Sequence, residues 1–401
     1  MKKILLYRFL SALFLTSVFG CTTPYNYQTN GYEDIIVIEA MITNDYKYHE
    51  IKLSRSYALE ESAPKTETQA IVYVSDDAGN TYEFVESNGS YISKIQFQAV
   101  AGRKYQLHVL TKNGRTYLST PEILTTQTSI ESLQAAAVTK NNVLGVEITV
   151  NSTDPTNTSK YYRYEYEETS KIVAPKWYSE KAVANGRRIT FVPRTEEARI
   201  CFTSRKSNEL LTTNTSDLTE DKVSNFPVRF ISSSDNFIRS RYSILVKQYV
   251  ESFAAHTFYE TLKTISNSGS ILSQTQPGFL SGNIKSVDNP GEKVMGFFNV
   301  SSYSEKRLFF NFTDLFPNTR LPEYQYYCPA EIPEIEIADY YYTYCANTIG
   351  PSCQNDVIVD LITKRIRVFF PNDSPSYLLY PIECGDCTSF SSNIKPSFWI
   401  D

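Results

Sequence analysis

Seven cysteines and three histidines are the residues with most chemistry to offer. Cys384-Gly385-Asp386-Cys387 has the spacing of a dithiol redox pair and of half a zinc site. A redox pair needs a helix starting at its first cysteine to lower that thiol's pKa, and the TSFSSNIKPSFW that follows has no helical period. A zinc set of Cys384, Cys387, Cys345 and Cys353 would carry a seven-residue gap between Cys345 and Cys353, which with the exported context argues against it. His49-Glu50 opens like a zincin motif, but Leu53 stands where the second histidine belongs. His108 alternates with Leu107 and Val109 and reads as a solvent-facing strand residue. His256 and Glu260 are four apart on a helical pattern, a metal-binding spacing, yet they fall on its polar face and read as solvated. There is no Gly-x-Ser-x-Gly elbow, no glycine-rich phosphate loop and no dinucleotide fingerprint. A carboxylate-dependent hydrolase stays open as a third reading. Its two carboxyl groups would have to sit about 5–9.5 Å apart, which spacing along the chain does not supply. The expectation is a protein without catalytic activity, metal or cofactor.

One cysteine reads differently. Residues 1–20 carry Lys2, Lys3 and Arg8 around an apolar stretch from Phe9 to Phe19, too short for the roughly 20 apolar residues a membrane span needs. Gly20 precedes Cys21, so the segment reads as a bacterial lipoprotein leader in which Val18 and Gly20 fit and Phe19 is off-pattern. Cys21 would then carry the lipid, and two or more acyl chains suffice for stable anchoring. The alternative is an ordinary cleaved leader with Cys21 a bystander. Residues 21–33 form a polar, lipid-anchored tether. Acidic residues often follow the cysteine of surface-exported lipoproteins, and none occurs here before Glu33.

In an exported chain the other six cysteines, Cys201, Cys328, Cys345, Cys353, Cys384 and Cys387, read as three disulfides with their pairing open. Five of them crowd into 328–387 and would staple the C-terminal segment. Tyrosines cluster in the same stretch. Tyr324, Tyr326 and Tyr327 precede Cys328, and Tyr340, Tyr341, Tyr342 and Tyr344 precede Cys345. Held rigid, they could offer a glycan or a protein flat apolar faces with polar tips; the plainer reading packs alternate tyrosines into the stapled edge. Trp177 lies in a loop, and Trp399 reads as a plug of the core.

The elements that must position these residues are mostly strands. The 401-residue chain is 41% hydrophobic, 21% charged and 14% aromatic, with 30 Tyr and 23 Phe. That excludes a disordered chain, a collagen and a polytopic membrane protein, and it favours β structure. The net charge is −5, or −8 without the three leader cations, and there is no basic stripe, so nucleic acid is not an expected partner. Residues 34–126 read as an immunoglobulin- or transthyretin-like β-sandwich. Its strands are Ile35–Ile42, His49–Leu53, Ala70–Ser75, Thr81–Val85, Tyr105–Leu110 and Thr116–Ser119, with tight turns at Asn88-Gly89 and Asn113-Gly114. Residues 127–401 read as a larger β-rich domain with one or two short helices. It holds strands at Val143–Val150, Tyr161–Glu168 and Tyr242–Val250, a long polar loop over 203–224 with a short helical or strand insert, and a helix over Ser252–Ile265 capped by Ser252. Further strands follow at Lys293–Asn299 and Arg307–Phe312, and a hairpin spans Asp356–Phe370.

Several stretches carry a resemblance in their order and spacing. In the second unit they are Cys201-Phe202 with Lys206-Ser207, Tyr242–Tyr249, Gln276-Pro277, Gly282-Asn283-Ile284, Asp288-Asn289-Pro290, Val294–Phe298, Lys306-Arg307-Leu308-Phe309, Cys384-x-x-Cys387 and Lys395–Trp399. In the first they are Ala40–Thr43, Lys52–Arg55, Asp76–Asn80 and Gly102–His108. Over roughly residues 30–401 the chain resembles the Bacteroidetes lipoproteins grouped as domain of unknown function 4249, departing at Ser397 where an acid is usual. The resemblance implies a lipid-anchored outer-membrane protein, more often on the cell-surface side than the periplasmic one, encoded beside a TonB-dependent receptor. The expected function is that of an accessory or binding partner of such a receptor in nutrient capture, held to membrane lipid through Cys21. The alternative is a stand-alone surface lipoprotein that binds a glycan or peptide.

Overall fold

The structure, a computed structural model, describes residues 34–56, 63–185, 188–267, 280–330, 360–371 and 377–401. Cys21, Cys345, Cys353, Tyr340, Tyr341, Tyr342 and Tyr344, with the leader and tether, lie outside the described residues.

The fold is mainly β. In strand Ile36–Thr43 every second residue points one way. Ile36, Ile38, Ala40 and Ile42 are buried, while Val37, Glu39 and Met41 face the other side. It pairs antiparallel with Glu50–Arg55, and the buried face meets Val72, Val74, Leu107, Val109, Tyr105 and Tyr117 in the first core. The turn after Thr81–Ser87 has positive φ at both Asn88 and Gly89, as a two-residue hairpin loop requires. At the DDAGN turn the Asp76 carboxylate accepts from Ala78 N, Asn80 N and Arg103 Nη1 at 2.7–3.0 Å. Although burial opposes ionisation there, these bonds hold its pKa down at about 2.

The first core is not continuous in sequence. Ile284, Val294, Phe298 and Val300, far beyond residue 126, belong to it. Val294–Asn311 is one 18-residue strand, where the sequence reads as two. Its first half runs parallel to Ile36–Thr43 and its second half antiparallel to Arg241–Glu251. The polar stretch between the two expected strands looks like a loop, but Ser301 and Ser302 are fully buried, where the strand passes from one core to the next.

The second core lies between two sheets. Val146, Ile148 and Val150 come from the three-stranded sheet Ile130–Lys140, Val143–Thr153 and Lys222–Ser232; Tyr162, Tyr164, Tyr242, Ile244 and Phe310 come from the long sheet opposite. The helix runs Phe253–Asn267, with Ser252 Oγ accepting from Ala255 N. Short helical turns at Phe312–Leu315, 360–363 and Ile382–Gly385 make more helices than the one or two expected. The hairpin expected over Asp356–Phe370 is corrected. Residues 360–363 are helical, and Arg367–Pro371 pairs with Tyr377–Pro381 instead. Trp399 packs edge-on against Phe202 and Phe309.

His49 is 2% exposed and its Nε2–H donates to the Phe97 carbonyl at 2.9 Å. Burial disfavours the imidazolium and drops the pKa from 6.5 to about 4. The unfolded chain therefore takes up a proton that the folded one refuses. Stability should be full above about pH 6.5 and decline as pH falls towards 4, by about 3 kcal/mol in all. Urea denaturation of the native chain and His49→Gln across that interval checks this. The native chain should lose more, and parallel losses would sink the assignment.

Candidate functional site

Because the buried side of Ile36–Thr43 faces the first core, Val37, Glu39 and Met41 are left on the opposite face of the sheet. Glu50 and Lys52 of the neighbouring strand join them there, with Met295 and Phe297 from the parallel partner. The helix Phe253–Asn267 lies across this face, Phe258 against Phe297 at 5.6 Å between ring centres. Residues 208–212 make the far wall. Together they bound a groove of about 950 Å³, with apolar stretches at Leu210, Phe258, Leu262 and Met295 and charged groups at Glu39, Lys52, Glu209 and Lys263.

At the floor sits Arg163, 5% exposed. The run YYRYEYEE explains its position. Tyr162, Tyr164 and Tyr166 point into the second core, so Arg163 and Glu165 must point out towards the groove. Arg163 Nε donates to Glu251 Oε1 at 2.6 Å, Nη1 bonds to Glu165, and Nη2 reaches Met41 Sδ at 3.4 Å. Its guanidinium carbon lies 4.5 Å from the Tyr249 ring centre and 4.8 Å from that of Tyr259, within cation–π range of both. Burial opposes the charge, but Tyr259 and the Glu251 and Glu165 carboxylates outweigh it and raise the pKa. Glu251 is 3% exposed; burial pushes its carboxyl up and Arg163 pulls it back. Burial also carries the Tyr259 phenol to about 12. The groove thus presents, among the described residues, apolar surface, the carboxylates of Glu39, Glu50 and Glu209 and the amines of Lys52 and Lys263, while its buried cation, Arg163, is held by internal partners. Among the described residues no group of three His, Cys, Asp or Glu could hold a metal. The alternation of Tyr with Arg and Glu after residue 160 is the sequence signal that could have found Arg163.

His256 is corrected. It is buried, its ring tilted against that of Tyr161 at 4.9 Å between centres, and its pKa is lowered by burial. Of the expected helix face Ala255 and Phe258 are buried and Leu262 packs with them, but a small rotation buries His256 as well and leaves Ala254, with Phe253, exposed. Glu260, its i+4 neighbour, bonds to Thr212 and not to His256. His108 is half-buried, its ring stacked on cross-strand Tyr73 at 4.4 Å and bonded to Ser75 Oγ.

The structure joins Cys201 to Cys387 and Cys328 to Cys384. Cys384 and Cys387 are therefore not a redox pair, and neither sulfur is free for zinc. Tyr324 packs beside the first of these bridges and its hydroxyl donates to the Glu383 carbonyl at 3.0 Å. Tyr326 packs on Phe390 at 4.7 Å, and Tyr327 is 86% exposed. Proteolysis without reductant, with cleavage on the N-terminal side of Asp386 to part the two half-cystines, should release peptides 201/387 and 328/384 as linked pairs, read by mass; a 384/387 loop would contradict the pairing.

Removing the Arg163 side chain leaves the Glu251 carboxylate buried without a partner. Arg163→Met should cost about 3–5 kcal/mol, and Arg163→Met with Glu251→Leu should regain most of it. Chemical denaturation of the three proteins measures this; a double variant no more stable than the single would refute the pairing.

Two solved structures align with parts of the chain. One is trypsin-activated alpha-2-macroglobulin from Escherichia coli, at 9% identity over 56% of this chain and 15% of that one, with a TM-score of 0.17. The other is a pullulanase complexed with maltotriose from Anoxybacillus sp. LM18-11, at 14% identity over 51% of this chain and 26% of that one, with a TM-score of 0.14. The chain spans about a quarter or less of the length of either. No curated protein matches it. A family model, Domain of unknown function (DUF4249), matches residues 22–307, from the tether through both sandwich cores to a point inside the strand Val294–Asn311. With more than two thirds of its length matched, the chain belongs to the DUF4249 family.

Proposed function

We propose that the chain is a non-catalytic lipoprotein of the bacterial outer membrane, acylated at Cys21 and facing the cell surface, that acts as accessory partner to a TonB-dependent receptor. The observation that carries the binding role is the groove of about 950 Å³ between the helix Phe253–Asn267 and the outer face of the sheet, wide enough for an extended segment of a partner. Its carboxylates and apolar floor suit a segment that alternates apolar and cationic side chains. The leader and Cys21 support the anchoring. Confinement to the membrane raises the effective concentration at a barrel partner, so a weak groove contact suffices.

The test is a pull-down from native outer membrane in detergent, with mass spectrometry of the co-purified proteins and of the mature N-terminus. The expected result is a receptor barrel recovered with a chain that starts at acylated Cys21. Leu210→Lys with Met295→Lys, both lining the groove, should cut recovery by about tenfold, the loss of one to two kcal/mol of contact. An unmodified start with release into the periplasm would overturn the anchoring. Recovery of no barrel, with retention on a glycan or peptide array abolished by alanine at Tyr340, Tyr341, Tyr342 and Tyr344, would favour the stand-alone binder.

A further inference from the structure

A second cavity, of about 350 Å³, lies in the disulfide-held C-terminal layer, and the groove reading does not involve it. Among the described residues it is lined by four cations, Lys181, Arg194, Arg365 and Arg367, and by two carboxylates, Glu196 and Asp386. Glu196 is engaged by Lys181 at 2.5 Å. Asp386 Oδ2 accepts from Arg365 Nη2 at 2.9 Å and lies 3.6 Å from Arg194 Nη1, so one carboxylate draws two guanidinium groups together. Asp386 is itself fixed. Its Oδ1 accepts from Thr388 N and Oγ1, and the cysteines two residues before and one residue after it are tied to Cys328 and Cys201.

Two features of these arginines are unexplained by the fold alone. The Arg194 side chain is 8% exposed, and its Nε–H has no hydrogen-bond partner among the described residues. A buried charged donor left open is costly, and an acceptor from outside would relieve it. Arg365 has φ +53°, closing the helical turn 360–363 with Ile366 N donating to the Leu361 carbonyl. That is the left-handed cap where glycine is the usual residue. The backbone there asks for glycine; the side chain found there brings a guanidinium to Asp386.

We propose that this cavity binds an oxyanion, the carboxylate or phosphate group of a small molecule, held between Arg194 and Arg365. Guanidinium forks give such groups paired, charge-assisted bonds, and the two disulfides keep the forks in register before the ligand arrives.

Isothermal titration of the full chain at low ionic strength, with inorganic phosphate and separately with citrate, tests this. At least one probe should saturate with a Kd of about 1 mM or tighter, and which one does so tells phosphate from carboxylate. Arg365→Gly keeps the left-handed cap and removes the fork, so the variant should melt near the native temperature and bind about tenfold more weakly. Arg365→Lys, which keeps the charge without the fork, should fall between, and it serves if the glycine variant does not fold. No saturable heat with either probe would overturn the site, as would equal affinities in the native chain and in whichever variant folds.

Discussion

The strand Val294–Asn311 lends its backbone to both cores, parallel to Ile36–Thr43 on one side and antiparallel to Arg241–Glu251 further on. Parallel neighbours need a long crossover, and here it is most of the chain. The first sandwich is therefore sealed by a segment made long after its other strands, and its pairing has the high sequence separation that slows folding. The close fit at Gly296 shows how tightly that seam is drawn. A Cβ there would sit 1.9 Å from the Ile38 carbonyl oxygen, and one on Gly282 would sit 1.6 Å from the carbonyl oxygen of Gly296. Gly296 also has φ +129°, open to glycine almost alone. Three stretches of backbone thus stack at one place, and this place is the floor of the groove.

Local signals in the sequence were good where one physical rule decided the outcome. Asn88-Gly89 and Asn113-Gly114 turn the chain because Asn and Gly tolerate the positive φ such turns need, at both residues of the first and at Gly114 of the second. The alternation from Ile36 to Ile42 fixes which face is core. Signals failed where two cores compete for one element. Ser301 and Ser302 read as loop because serine is polar, yet their small hydroxyls fit between two layers. The helix follows its 3.6-residue period, but the rotation that puts His256 inside depends on Tyr161, which lies on a distant strand. The groove was invisible for the same reason: its lining comes from seven separate stretches, and only Arg163 is marked by a local pattern.

Buried charge recurs on both faces of Tyr161–Val173. On the groove side it is Arg163 with Glu251. On the core side Glu168 accepts from Arg229 Nε and Nη2 at 3.1 and 3.2 Å and from the Tyr242 hydroxyl at 2.8 Å. Such pairs add little to stability over apolar replacements of the same size, since desolvation offsets most of the attraction. Their effect is on register. A one-residue slip between Tyr161–Val173 and Arg241–Glu251 would put Arg163 opposite a new neighbour and strand Glu251. In a sheet whose strands are rich in tyrosine on either side, apolar burial alone discriminates weakly between registers, and the charges supply the difference.

The C-terminal layer is built on another principle. Among the described residues its cores are small: Ile172, Ala174, Cys201 and Cys387 in one, Val368, Tyr380 and Cys384 in the other. Clusters of this size bury too little apolar surface to order a segment unaided. Cys201–Cys387 closes a separation of 186 residues and Cys328–Cys384 one of 56, so each bond removes much of the freedom the unfolded chain would have there. The tail is held by further ties, with Lys171 and Lys395 on Asp401 and Arg307 over the Phe398 ring. A layer made this way keeps its shape only where thiols stay oxidised. It follows that the arginine-lined cavity, whose geometry Asp386 sets from between two half-cystines, depends on the redox state of its surroundings in a way that the groove, built on sheet and helix, does not.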